Sequence, residues 1–278
     1  MGRISRGWAL TKASFLLLGN EKQLLLFPLI SAFLIIGLFV GFLMLFFFSF
    51  FFGFASGGFA YFGAVNILIY VMFFVFYLLA TFISKFFNAA VMESAAMRFS
   101  GRDATFANAL GNTSKKVHKI FLWALLSATI GILLQIIEKI RFGRIIRFII
   151  GLAWGIATFF TLPVLLFEDK GVFSSIKRSI ELVKKSWGES LIAVLGTGII
   201  FFLLFLVGLV PLLITVFLGL GVAAVLIVGI ATFIYIIIIL LLSSVVRNIV
   251  VTGLYIYASK GRLSDPAMDK LVRNIEKL

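Results

Sequence analysis

Six long apolar runs dominate the pattern along the chain: Leu24–Phe52, Ala64–Phe87, Ile120–Ile137, Ile145–Phe167, Leu191–Leu218 and Val222–Val246. Each is close to or above the roughly 20 residues a helix needs to cross a bilayer. The first, fifth and sixth have length to spare, which predicts tilt or extension past the hydrocarbon layer. The breaks between runs are legible. Residues 53–63 are rich in Gly and Ser and carry no charge, Gly143 divides a basic turn, and Gly219-Leu220-Gly221 makes a tight uncharged one.

Three further segments have a helical stripe and lie just before a span. Ile4, Trp8, Thr11, Phe15 and Leu18 fall at steps of three and four. Phe106, Ala109 or Leu110, Thr113 and Val117 do the same, and Phe173, Ile176, Ile180, Val183 and Trp187 form the cleanest stripe. Lys177, Arg178, Glu181, Lys184 and Lys185 occupy the other side of the third segment. Such helices lie at the membrane surface, apolar side towards lipid or the bundle. The first does not read as a signal peptide, because Asn20, Glu21 and Lys22 interrupt the short apolar stretch 15–18 and no small-residue cleavage site follows.

Spans two and six leave the membrane through similar sequences, with Asn88, Gly101 and Arg102 spaced like Asn248, Gly261 and Arg262. The expected architecture is all-α: one six-span domain over residues 1–262, with amphipathic interfacial helices and three units of surface helix plus hairpin at 1–100, 101–170 and 171–262. A C-terminal amphipathic helix is expected over 263–278, capped by Ser264 or Asp265, with Pro266 in its first turn.

Composition excludes the soluble alternatives. Of 278 residues, 62% are hydrophobic and 13% charged, and Phe alone occurs 34 times. A soluble domain is nearer half apolar and a quarter charged. The net charge of +14 would suggest nucleic acid in a soluble protein, but the basic residues here flank apolar runs. Counted by side in a six-span topology, 21 of the 25 Lys and Arg fall on one face and four on the other. The positive-inside rule then places both termini in the cytoplasm of a multi-pass protein of the cell membrane. The four exceptions are Lys139, Arg141, Arg144 and Arg147, in the hairpin between spans three and four. They are candidate ligands for anionic lipid headgroups, with Glu138 paired to Arg141 and Arg144 and Arg147 on one helix face.

Little else carries chemistry. There is no Cys and one His, so thiol catalysis and His-based metal sites have no residues to use. Glu168 and Asp169 are adjacent, do not share a helix face, and read as a cap for the following surface helix. Gln135 and Glu138 share a face, and Asn88 and Asn248 are placed to hydrogen-bond between helices. Gly37/Gly41 and Gly151/Gly155 are small-xxx-small faces, and Ala124, Ser127, Ala128 and Gly131 line one side of span three. Pro163 and Pro211 are placed to break spans four and five, where freed carbonyls could line a cavity.

Several segments together resemble a family of prokaryotic six-span membrane proteins classed as a domain of unknown function. They are Arg6-Gly-Trp8, Lys22-Gln-Leu-Leu-Leu-Phe27-Pro28, Phe86-Phe-Asn88-Ala-Ala, Trp123-Ala-Leu-Leu-Ser127, and Pro163-Val-Leu-Leu-Phe-Glu168 with Ser186-Trp-Gly-Glu189. The resemblance runs to about residue 260. The layout of surface helix and hairpin is also similar to membrane domains attached to bacterial glycerophosphodiester phosphodiesterases, without their catalytic domain. It implies a topology and no activity. The expected role is non-enzymatic: a membrane protein that organises lipid or a partner complex. The alternative is a transporter or lipid translocator with a cavity near Pro163 or Pro211. No cofactor and no metal is expected. The expected partners are membrane lipids, anionic ones foremost, and a membrane protein or a second copy of the chain, with no nucleic acid.

Overall fold

The computed structural model describes residues 14–19, 21–55 and 61–259. Ile4, Trp8, Thr11, Gly261, Arg262 and the expected C-terminal helix lie outside these residues. Residues 14–19 are helical and lead through a 3-10 turn, Lys22–Leu25, into the bundle. The helices that follow are α1 (Leu26–Ala55), α2 (Tyr61–Phe99), α3 (Phe106–Ser114), α4 (Val117–Glu138), α5 (Gly143–Ala157), α6 (Thr161–Phe167), α7 (Val172–Phe217) and α8 (Gly221–Ser259). Among the described residues there is no strand, and six segments are long and apolar enough to cross a membrane.

α2 and α8 each have 39 residues. At 1.5 Å per residue that is about 58 Å, against a hydrocarbon layer of roughly 30 Å. Both outrun the apolar runs that announced them. The stretch after Phe87 stays helical to Phe99 because Ala89, Ala90, Val91 and Ala95 pack inward, together with Val245, Ile249, Val250 and Leu254 of α8. The connection expected over 85–119 shrinks accordingly to residues 100–105 and the turn at 115–116. Thr105 caps α3 by accepting the Asn108 N–H at 3.2 Å, and Phe106 stacks on Phe27 with ring centroids 4.6 Å apart.

The buried core therefore sits at one end of the bundle, where the spans meet α3, α6 and the first half of α7. We call this the basic end; the turns after α4 and α7 mark the hairpin end. Along the spans, Phe33, Phe47, Phe51, Phe217 and Phe233 stay exposed, as lipid-facing side chains do.

Two details at the hairpin end explain the turns. Gly143 follows Phe142, which has φ +62, and a Cβ on Gly143 would lie 1.9 Å from the Ile137 carbonyl oxygen. Only glycine fits there. Gly219 and Gly221 have φ of +63 and +81, which suits the short turn between α7 and α8.

The proline expectation needs correction. α7 runs through Pro211 without interruption, and its one non-helical residue is Ser186, at φ −115 and ψ 21. The Ser186 hydroxyl donates to the Leu182 carbonyl at 3.0 Å, a back-bond that bends helices. In span four the break lies at 158–160, just before α6, in which Pro163 is the third residue. Proline there lacks the N–H that would otherwise reach the Phe159 carbonyl.

The glycine faces also differ from expectation. A Cβ on Gly37, Gly41 or Gly155 would meet nothing within 4 Å. The close approaches are Gly131, on the small-residue side of span three, beneath the Tyr77 hydroxyl, and Gly208, which the sequence did not single out, beneath the Tyr235 ring. Tyr235 donates its hydroxyl to the Leu204 carbonyl at 2.9 Å, tying α8 to α7.

Candidate functional site

The break in span four turns a backbone N–H inward. Phe160 N–H donates to Ser179 Oγ at 2.9 Å, and both residues are fully buried. Ser179 lies on the first half of α7, whose inward face is Ser175, Ser179, Leu182, Val183 and Ser186. The expected apolar stripe is displaced from that face. Phe173, Ile180 and Trp187 are exposed, and only Val183 of the stripe is buried. Serines win the inward face because they are small and spend their hydroxyls locally: Ser175 donates to Gly171 O, Ser186 to Leu182 O, and Ser179 accepts from the break.

Around the core, carboxylates and cations are matched. Glu21 meets Arg98 at 2.5 Å, Glu93 meets Lys116 at 2.6 Å, and Asp169 pairs with Lys119. Lys116 also donates to the Leu166 carbonyl. Glu168 is the hub. It takes Lys170 at 2.6 Å, Arg178 at 3.2 Å and the Tyr255 hydroxyl at 3.2 Å, so it joins the end of α6 to α7 and α8. Burial pushes the Glu168 carboxyl up, but hydrogen bonds from Lys170 and Arg178 and their charges outweigh it and hold the group below its ordinary value. Asp169 is likewise held low by the hydrogen bond and charge of Lys119. The expected cap does not form: the residue at the α7 N-cap is Gly171.

Inside this shell lies a cavity of about 480 Å³ between α2, α4, α8 and the broken fourth span. Its polar wall is Lys85, Asn88, Trp123, Thr158, Ser243, Ser244, Arg247 and Asn248. Asn248 Nδ2 donates to Asn88 Oδ1 at 2.9 Å, and Ser244 Oγ reaches the same oxygen at 3.5 Å. The Lys85 ammonium stands 5.6 Å from the centroid of the Trp123 ring, which stacks on Trp154 with centroids 6.0 Å apart. Trp123 is buried, and its indole N–H has no acceptor among the described residues.

A second concavity is an apolar groove of about 660 Å³, open to the outside. Ala153, Ile156 and Ala157 of α5 form one bank; Ile180, Val183, Lys184 and Trp187 of α7 form the other.

Of the residues singled out in the sequence, Asn88 and Asn248 come together as described. Glu138 pairs with Arg147 across the α4–α5 turn, not with Arg141, whose guanidinium lies 5.6 Å from the Phe142 ring centroid. The left-handed Phe142 folds the chain back so that the fifth residue of α5, rather than the turn itself, faces Glu138. Arg144 and Gln135 are exposed, so Gln135 makes no interhelical bond among the described residues. In the sequence Lys85 and Arg247 are, as charges, indistinguishable from the other flanking cations. Their signal was their position one turn or less from Asn88 and Asn248 on matching span exits.

These features define a polytopic helical membrane protein with its packed core and polar cavity at one end of the spans. Residues 67–265 match the family of unknown function DUF6159, and the chain belongs to that family. No curated protein sequence matches it.

Proposed function

We propose that this is a non-enzymatic integral membrane protein that holds lipid of the cytoplasmic leaflet, with both termini in the cytoplasm. The observation that carries the reading is the division of the first half of α7 into a buried and an exposed side. Its serine side grips the bundle, while Phe173, Ile180 and Trp187 are uncovered with Lys177 and Lys184 beside them on the same exposed side and Lys185 further round. That division suits a helix lying at the level of lipid headgroups, with tryptophan at the boundary. The groove beside it, apolar with Lys184 and Trp187 on one bank, fits an acyl chain beneath a phosphate. The excess of Lys and Arg at the basic end supports the orientation.

The test is Ala157→Trp, which fills the groove. Phospholipid retained per protein after gentle detergent extraction should fall by half or more relative to wild type. Unchanged retention, with the variant folded, overturns the reading. The polar cavity beside Leu162 and Phe159 favours a second reading, lipid translocation. Purified protein in vesicles should then accelerate exchange of a fluorescent phospholipid between leaflets, and a rate equal to that of empty vesicles rejects it.

A further inference from the structure

We propose that the cavity between α2, α4, α8 and the broken fourth span binds a phosphate-bearing anion, with Lys85 and Arg247 supplying charge and Asn88, Trp123 and Ser243 supplying hydrogen bonds. The proposal concerns the ligand of this cavity. It is independent of the groove and holds whether the ligand is retained or moved.

Four observations carry it. The wall holds two cations and no carboxylate. Among the described residues, the ion pairs at the basic end engage Glu21, Glu93, Asp103, Glu168, Asp169 and Glu181 with other cations, so none of these balances Lys85 or Arg247. Lys85 is half-buried and Arg247 is exposed beside it, so the cavity presents a positive mouth that an entering anion meets without displacing a counter-charge. Second, the Trp123 side chain is 3% exposed, and its indole N–H lacks an acceptor among the described residues. An orphaned buried donor is rare in folded proteins and costs roughly 1–3 kcal/mol. Third, the amide pair is polarised towards donation. Asn88 Oδ1 is occupied by Asn248 and Ser244, which leaves the Asn88 NH₂ hydrogens for an outside acceptor. Fourth, the depth is right. Arg247 comes 26 residues after the start of α8 at Gly221 and Lys85 comes 24 after the start of α2 at Tyr61. At 1.5 Å per residue those are about 39 and 36 Å, just past a hydrocarbon layer of roughly 30 Å. Lipid phosphates lie at that level, and solutes reach it from water. Both sources present the same tetrahedral oxyanion, which the fork of Arg247 can grip with two bonds.

The experiment is native mass spectrometry of the full-length protein, delipidated in detergent and titrated in separate arms with inorganic phosphate, a short-chain phosphatidylglycerol and a neutral diacylglycerol. Wild type should form a saturable one-to-one adduct with at least one phosphate-bearing probe and none with diacylglycerol. An adduct with phosphatidylglycerol alone identifies a lipid headgroup; an adduct with inorganic phosphate identifies a solute site. Lys85→Gln combined with Arg247→Gln should weaken the adduct at least tenfold. Trp123→Phe keeps an aromatic ring against Trp154 while removing the indole N–H, and, with folding checked by its elution profile, should weaken binding severalfold. The lipid arms are run in the Ala157→Trp background, in which the groove is filled, so that the adduct they report is the cavity's. No adduct in either phosphate arm, or equal binding by wild type, Trp123→Phe and the double variant, overturns the proposal without touching the groove.

Discussion

Ser179→Ala should destabilise the bundle far more than Ser175→Ala, although both serines are fully buried on the same face of α7. The Ser179 hydroxyl accepts the Phe160 N–H at 2.9 Å where span four breaks. Its loss leaves a buried backbone donor with no partner, because the break removes the helical acceptor and no water reaches the position. The expected cost is about 1–3 kcal/mol. Ser175 is the opposite case. Its hydroxyl donates to the Gly171 carbonyl at 2.9 Å, and that carbonyl already accepts the Ser175 backbone N–H. Truncation there removes the donor along with its bond and orphans nothing, so the change should stay within about 0.5 kcal/mol. Both substitutions delete one buried oxygen, so their void terms nearly cancel in the comparison. In a chain of this size each kcal/mol moves the melting midpoint by about 2–4 °C. Thermal melts in one detergent, followed by loss of the monodisperse peak, should place Ser179→Ala roughly 2–12 °C below wild type and Ser175→Ala beside it. Equal midpoints for the two variants would refute the claim that Ser179 caps the break.

Gly208→Ala puts a Cβ 2.2 Å from the Tyr235 ring and should cost about 1–3 kcal/mol, whereas Gly41→Ala meets open space and should be neutral; denaturant titration of both checks the ranking. Asn88→Leu and Asn248→Leu, with their double variant, should show a coupling of about 0.6–2 kcal/mol, and additive costs would mean that the 2.9 Å bond does not hold α2 to α8. Glu168 is held below its ordinary value of 4.5, so its contribution is complete above about pH 4.5 and fades as pH falls through the folded value. Melts between pH 7 and pH 3 should show Glu168→Gln losing less stability on acidification than wild type, and parallel curves would contradict this. For orientation, an impermeant thiol reagent added to whole cells should label Lys139→Cys, and should label Ser100→Cys only after permeabilisation.

The six spans were legible because a bilayer imposes one strong rule. A stretch that cannot hydrate its backbone must be apolar and helical for the full thickness. Where that rule stops applying, the sequence reading stopped too. Beyond Phe87 and Val246 the helices continue into a protein core, and the residues that extend them are alanines, small polar groups and valines that look the same in a loop or a buried helix. The breaks followed the same logic. Proline marks where a helix can be interrupted, but neighbours decide. Pro211 lies on an exposed side of α7, which stays helical through it. At 158–160, Ser179 from another helix accepts the exposed N–H. No local pattern around Pro163 contains that serine.

The same division explains the site. Asn88 and Asn248 were visible as polar residues at matched positions of two spans, and such residues in lipid must find one another. Lys85 and Arg247 looked like ordinary flanking charges, since the count of basic residues treats every cation near a span end alike. Three dimensions separate them from the rest. Arg98, Lys116, Lys119, Lys170 and Arg178 have carboxylates in reach, while Lys85 and Arg247 line a cavity with an indole donor that has no partner among the described residues and an amide whose acceptor is already taken. The +14 charge thus has two physical parts. Most of it is solvated and orients the chain across the membrane, where any lysine or arginine would serve. A small part lines the cavity at the end of the spans, where the half-buried Lys85 and the exposed Arg247 stand beside Asn88 and Trp123.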